Sequence, residues 1–382
     1  MLLAAAGAGV GWLHKGDWGV SPWIASNYLA TCRLEMLKRS FVGTIFTACV
    51  PHPTLHAIDL AGSCVTLLAV LAVSIHLASV AARWSARPRP DEWLRWLPLL
   101  ACPALFWQLG YDLGRLDQLN LALFVLSISL ARSRRSLARA ALIPVTIVAI
   151  WNHESYLVLH LPVICAILLI EPARSVRAHI VPSIATGSAG LLAFAVVAIW
   201  GSAEAATRAT LIDALVRIGL PAPEASAATT VWSYSFGDTV RQTLGNFATL
   251  RGLVHGLIFA GFTSLVIAAW FRVLGRIRFS ANAHDRSQQF DRFERWLPWI
   301  VRTAPLCGLV LGLVGLDMGR WCAWTIANLI FLTLYLLDRE DADGRHAALR
   351  VIPRPLRWSG ILGPLGVTSA FPLLIAIVRL VL

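Results

Sequence analysis

Apolar residues run along this chain in long blocks, separated by short breaks where arginine, glycine and proline gather. A helix rises about 1.5 Å per residue, so about 20 apolar residues cross a hydrocarbon core of about 30 Å. Blocks of that size fall at 57–82, 180–200, 252–272, 297–315, 321–337 and 359–379, and each predicts a spanning helix. Residues 96–131 and 140–170 are too long for one crossing, since single helices there would reach about 54 Å and about 46 Å. Each reads better as a hairpin of two short helices, the first turning between Tyr111 and Asp117 and the second between Trp151 and Ser155. The pattern therefore predicts an all-α, polytopic transmembrane helical bundle of about nine or ten spans in a single domain, 1–382.

The polar intervals fill in the rest. Met1 to Leu13 is apolar but would cover only about 20 Å and has no basic residue ahead of it, so it predicts neither a signal peptide nor a full span. A start lying inside the first helix would account for both features. The 14–56 segment is mixed, and Glu35 to Val50 has the pattern of an amphipathic helix lying in the interface. A second polar segment covers 201–250, and arginine-rich loops cover 273–296 and 338–358.

Composition sharpens this picture. The chain is 57% hydrophobic and only 14% charged, against about 25% charged in an average soluble domain. Its net charge of +12 sits in short loops rather than on one basic face, which argues against a nucleic-acid partner. Those loops instead orient the chain, because loops rich in Lys and Arg stay cytoplasmic. With both hairpins drawn, the clusters Arg83–Arg95, Arg132–Arg139, Arg174–Arg177, Arg272–Arg278 and Arg345–Arg357 all fall on one side. Crossing once through 140–170 would place the cluster after residue 271 and the C-terminal cluster outside. The 14–56 segment, the Asp112 turn, the His153 turn, the 201–250 segment and the Asp317 turn then share the outer face. The short helices of the hairpins set their turns below the membrane surface, so polar groups converge in a recess open to the outside. Lysine occurs only at Lys15 and Lys38, a usage that suits a GC-rich bacterial genome and hence a bacterial plasma (inner) membrane.

The seven cysteines lie mostly inside apolar runs without CxxC spacing, so neither a disulfide framework nor a zinc site is indicated; only Cys32 and Cys49 could meet in one outer segment. No Walker A or other nucleotide-binding motif is present, and energy or activated substrate must come from elsewhere. The pair His153 and Glu154 alone is too small for a metal, and a divalent cation stays open as a cofactor.

Ionisable residues at membrane depth are costly, and each is a candidate for function. Asp112 with Arg115, and Asp317 with Arg320, repeat an Asp-x-Gly-Arg tetrad, and an Arg-Trp-Leu-Pro run begins at both Arg95 and Arg295. The tetrads serve either as ion pairs tying helix ends or as grips in which Arg115 and Arg320 hold a phosphate while Asp112 and Asp317 hold them. His153 and Glu154 interrupt an apolar stretch and offer a general base or proton relay, against the plainer reading of a polar turn at a helix break. Asp17 is an ordinary loop carboxylate unless its place just past the first membrane segment brings it to the recess. Arg33, Lys38 and Arg39 put positive charge on an outer face where it is otherwise sparse, suited to an anionic lipid head group or to anchoring the interfacial helix. Gly308 and Gly312 have the spacing that lets helices pack closely. Trp93, Trp96, Trp296, Trp299 and Trp321 sit near span ends, as aromatic belts do.

This layout of a first span, an acidic outer segment with an interfacial helix, and many spans with short hairpins resembles the C-type multi-spanning glycosyltransferases and related membrane proteins of bacterial polysaccharide assembly. The resemblance implies a polyprenyl-phosphate-linked sugar as substrate at the outer leaflet, with other polysaccharide-assembly proteins as partners. It matches Asp17 by position to the first-loop carboxylate base of those enzymes. On this expectation Asp17, His153 and Glu154 are catalytic, and Asp112, Arg115, Asp317, Arg320, Arg33 and Lys38 bind substrate. Two other readings remain open: a secondary transporter or lipid-linked oligosaccharide flippase, and a non-catalytic membrane assembly partner.

Overall fold

The computed structural model describes residues 7–9, 11–13, 19–84, 103–133, 135–171, 176–275, 277, 288–314, 318–340 and 348. Every regular element among them is helical. Asp17, Asp317 and the expected span at 359–379 lie outside the described residues.

Among the described residues, three helices are long and apolar enough to cross a membrane: α3 (Leu55–Trp84), α8 (Val176–Trp200) and α14 (Met318–Leu337). Their surroundings differ. The apolar window of α14 is 100% buried, whereas those of α3 and α8 are 33% and 22% buried. Leu60, Leu67, Leu68, Leu71 and Ile75 of α3 are exposed, as are Val181, Ile184, Leu191, Leu192 and Ile199 of α8. Faces so apolar are the ones a hydrocarbon solvent would cover, with α14 as the enclosed centre.

Both expected hairpins contain a break. In the first, α4 (Pro103–Tyr111) and α5 (Leu116–Ala131) are separated by the turn 112–115, across which Gln118 Nε2 donates to the Leu109 carbonyl at 2.8 Å. In the second, α6 (Leu142–Asn152) stops at an extended His153, a single turn covers Tyr156–Leu159, and α7 (Leu161–Ile170) follows. Helix α7 runs antiparallel to α8, with Ser183 Oγ donating to the Cys165 carbonyl at 3.2 Å near one end and Leu161 against Gly190 near the other. Thr146 and Ile150 of α6 meet the same Gly190 of α8 as Leu161 does, so the two legs lie side by side.

The bundle thus has two chemically different ends. At one, Asp338 accepts from Arg83 Nε at 3.0 Å, Trp84 Nε1 at 3.2 Å and Arg132 Nη2 at 2.7 Å, joining the C-terminal ends of α3, α5 and α14. Those guanidiniums hold the Asp338 carboxyl below the usual carboxylate range, against the opposing effect of burial. Glu171, just past α7, pairs with Tyr335 at the same end. At the opposite end, the start of α5 meets the end of α6 through Asn152 Nδ2 and the Leu116 carbonyl, 2.9 Å apart.

Two expectations are corrected. The interfacial helix does not run from Glu35: α2 (Ser40–Cys49) begins five residues later, because Arg39 takes left-handed backbone angles (φ 61°) and breaks the run. The 297–315 block is not one regular α-helix. Helix α13 (Gln288–Thr303) gives way to a 3₁₀ helix, Ala304–Val310, with Pro305 in its first turn, and then to a short turn, Leu311–Val314. The 201–250 segment is folded: α9 (Ala205–Arg217) and α10 (Ala222–Thr229) pack on α1 (Pro22–Leu29) around Ile24, Tyr28, Leu211, Leu215 and Trp232, and α11 (Phe236–Phe247) leads to α12 (Leu250–Leu274). These pieces form a roof over the second end.

The turn 112–115 explains the glycine of the first tetrad. Gly114 has φ +79°, and a Cβ there would lie 2.7 Å from the Gly62 Cα of α3. Its N–H donates to Thr66 Oγ1 and its carbonyl accepts from Tyr28 Oη, both at 2.9 Å. Gly114→Ala is expected to destabilise the protein by about 2 kcal/mol or more through backbone strain and overpacking. Gly245→Ala, at an exposed helical site with open space around it, is expected to raise stability by about 0.5–1 kcal/mol. Thermal unfolding of both variants in the same detergent checks the pair.

Candidate functional site

The second end gathers buried polar side chains from α5, the His153 turn and α14. Asp117, in the first turn of α5, is 2% exposed. Its Oδ2 accepts from Arg320 Nη1 at 2.8 Å, and its Oδ1 accepts from Ser155 Oγ at 2.9 Å. The neighbouring amides lock the turn: Asn152 Nδ2 donates to Asn120 Oδ1 at 2.7 Å, and Asn120 Nδ2 donates to the His153 carbonyl at 2.9 Å. His153 Nδ1 accepts the Ser155 N–H at 3.2 Å. Its neutral ring therefore carries the proton on Nε2, which faces Asp117 Oδ1 across 3.6 Å, longer than a hydrogen bond.

Glu154 points the other way, to Arg39. The guanidinium Nε lies 3.0 Å from each carboxylate oxygen and Nη2 also contacts Oε1, so both oxygens are engaged. The Trp23 ring of α1 packs against two guanidiniums, Arg39 with Cζ 5.6 Å from its centroid and Arg115 with Cζ at 5.1 Å. Arg115 Nε in turn pairs with Asp112 Oδ1 at 3.0 Å.

Beside these groups lies a cavity of about 330 Å³, within the range of about 300–1,000 Å³ typical of small-molecule sites. One wall is polar, from Lys38, Arg39, His153, Glu154 and Ser155; another is apolar, from Leu157, Val158, Phe194, Val197, Leu311 and Trp321; Tyr234 and Thr239 reach it from the roof. Among the described lining residues, two cations face one carboxylate, leaving one positive charge in excess. Lys38 Nζ donates to the Tyr234 carbonyl at 3.0 Å, and burial, helped by Arg39, lowers its pKa to about 8. Trp321 is 6% exposed, and among the described residues its indole Nε1 has no hydrogen-bond partner. Arg320 stacks on the same ring at 4.0 Å.

The predicted residues are therefore brought together in part. His153, Glu154 and Lys38 line the cavity. Asp112, Arg115 and Arg320 stand close by in ion pairs and are not among its lining residues. Arg320 reaches Asp117 across this end of the bundle. Arg33 is exposed in the loop before α2 and is not a lining residue either. Asp17 and Asp317 lie outside the described residues.

Sequence reasoning passed over Asp117 and undervalued Arg39. The signal for Asp117 was present: Asp117, Gln118 and Asn120 crowd the first turn of an otherwise apolar helix. Arg39 gave none beyond its charge, since its partner is 115 positions away. Among the described residues no three His, Cys, Asp or Glu side chains are grouped to hold a metal ion. The described cysteines are free, Cys32 and Cys49 included.

Compared with protein-family models, with curated proteins and with solved structures, the chain has no match.

Asp117→Ala would remove the buried carboxylate that Arg320 Nη1 and Ser155 Oγ reach, and breaking a buried pair of this kind costs about 3–5 kcal/mol. The double variant Asp117→Leu, Arg320→Met is expected to recover most of that loss, read as the unfolding midpoint of each protein in detergent.

Proposed function

We propose that this chain is a polytopic inner-membrane transferase that uses a polyprenyl-phosphate-linked sugar at the outer leaflet. The observation that carries the reading is the divided cavity, cationic on one wall and apolar on the other, beside a carboxylate and an imidazole. A lipid phosphate needs both walls: Lys38 and Arg39 suit its oxygens, and the Leu157, Phe194 and Val197 side suits its isoprenoid chain. In this reading the arginine-rich end with Asp338 faces the cytoplasm and the roof faces outward.

The chemistry follows from the groups present. Glu154 takes the proton of an acceptor hydroxyl as general base. The acceptor oxygen bonds to the anomeric carbon, the bond from that carbon to the phosphate oxygen breaks, and its electron pair leaves with the lipid phosphate. Lys38 and Arg39 stabilise that departing anion. His153, with its proton toward Asp117, holds the turn that presents Glu154. The Trp321 N–H is a donor for a sugar hydroxyl.

A secondary transporter or flippase draws support from a second polar layer deeper in the bundle, where His160 Nδ1 lies 2.9 Å from Asn328 Oδ1 and Asn328 Nδ2 donates to the Leu159 carbonyl at 2.6 Å. Phe124 stacks on His160, and Ile128, Phe331 and Leu332 are buried further toward the Asp338 end, so apolar side chains enclose most of that layer. The transferase is therefore preferred.

Reconstitution with a polyprenyl-phosphate sugar and a glycan acceptor tests the reading. Glu154→Gln is expected to lower turnover by about 10²–10⁴-fold, the contribution usual for one general base. Full turnover in that variant, or substrate flux into proteoliposomes without product, would overturn it. Lys38 supplies a pH signature: the ammonium form attracts phosphate, so affinity for lipid phosphate is expected to fall as pH rises through about 8, and Lys38→Met is expected to flatten the profile. On a cysteine-free background, probes at 52 and 137, exposed at opposite ends of the bundle, are expected to label from outside and inside respectively.

A further inference from the structure

The cavity holds its only described carboxylate in an unusual grip. Arg39 engages both oxygens of Glu154. It does so from a strained backbone: among the described residues it is the one non-glycine with positive φ, at 61°. Left-handed angles cost a residue with a Cβ about 1–2 kcal/mol and persist where the surroundings impose them. Here the imposing contacts are on both sides. Lys38, the preceding residue, is fixed by its N–H to the Gly201 carbonyl at 2.9 Å, and Ser40, the following residue, by Oγ donating to the Leu37 carbonyl at 2.7 Å. The kink is what turns Arg39 off the face of α2 and into the cavity wall.

We propose that the Arg39–Glu154 pair is a latch opened by the phosphate of the lipid substrate, so that the base becomes available only after the donor has bound. This rests on the transferase reading above. A carboxylate with both oxygens taken by one guanidinium is a poor proton acceptor, because the proton must displace a charge-assisted bond. An incoming phosphate brings more negative charge than Glu154 and can bind Lys38 and Arg39 together. Lys38 is ready for this exchange, since it now bonds a neutral carbonyl, that of Tyr234. Arg39 moving to the phosphate leaves Glu154 at the cavity wall with free oxygens. The Trp23 ring, 5.6 Å from the Arg39 Cζ, lies beside the guanidinium throughout this exchange. The result is an ordered reaction, donor first and acceptor second.

Difference infrared spectroscopy of the full protein in nanodiscs, with farnesyl phosphate as the probe, separates this from its premise. The Glu154 carboxylate band is identified by its loss in Glu154→Gln. On saturating farnesyl phosphate the band is expected to shift, and in Arg39→Gly, which tolerates the left-handed turn, it is expected to sit at the shifted position without ligand. Arg39→Gly is also expected to bind farnesyl phosphate at least tenfold more weakly. Saturable binding with an unmoved band, or an unshifted band in Arg39→Gly, would overturn the latch and leave the lipid-phosphate reading standing. Failure of farnesyl phosphate to bind the wild-type protein would overturn both.

Discussion

A carboxylate taken out of water must be paid for by its partners, and Asp117 is the place where this fold does so. One side chain at the head of α5 draws a guanidinium from the head of α14 and a hydroxyl from the His153 turn, and faces an imidazole from that same turn. Elements distant in sequence are fixed to one point at the same end of the bundle. Without that point, the break between α6 and α7 would have no reason to sit where it does, and Glu154 would have no fixed position beside the cavity. The polar cluster is thus a structural hub first, and the candidate chemistry is placed at its edge.

The division of labour between the arginines follows from this. Arg115 and Arg320 are tied to Asp112 and Asp117 in pairs that hold turns and helix ends. Lys38 and Arg39 come from the irregular stretch between α1 and α2, where backbone geometry rather than helix periodicity aims side chains. Groups that must exchange partners are better carried on such a stretch than on a helix locked by packing on several sides, because less neighbouring structure has to move.

How much of this was legible in the sequence depends on the range of the interaction. The breaks at Asp112 and at His153 could be read locally, since a helix of the full block length would overrun a bilayer and each block contains polar residues where a turn is needed. The glycine of the first tetrad could be read as a turn former, and Gly114 is one. That Arg320 reaches Asp117 could not be read, because Asp117 lies 203 positions away and only the packed bundle brings it near. The helix expected from Glu35 failed for a related reason: its periodicity was sound through Cys49, but the contacts around Lys38 and Ser40 override it at Arg39. The roof was hidden because its helices are only modestly apolar and bury their faces against α1, not against a lipid phase.

That roof gives the molecule two kinds of cohesion. Its cluster around Tyr28, Leu215 and Trp232 is separate from the larger cluster that surrounds α14. In the roof, side chains leave water when they pack, and this drive weakens on cooling. Where the exposed faces of α3 and α8 meet hydrocarbon, as the proposed function has it, side chains leave a phase as apolar as they are, so close fit and polar ties do the holding. The two parts therefore answer differently to temperature and to the choice of detergent. An amphiphile gentle to the bundle can loosen the layer above it, and the cover of the cavity is the first thing such an environment would change.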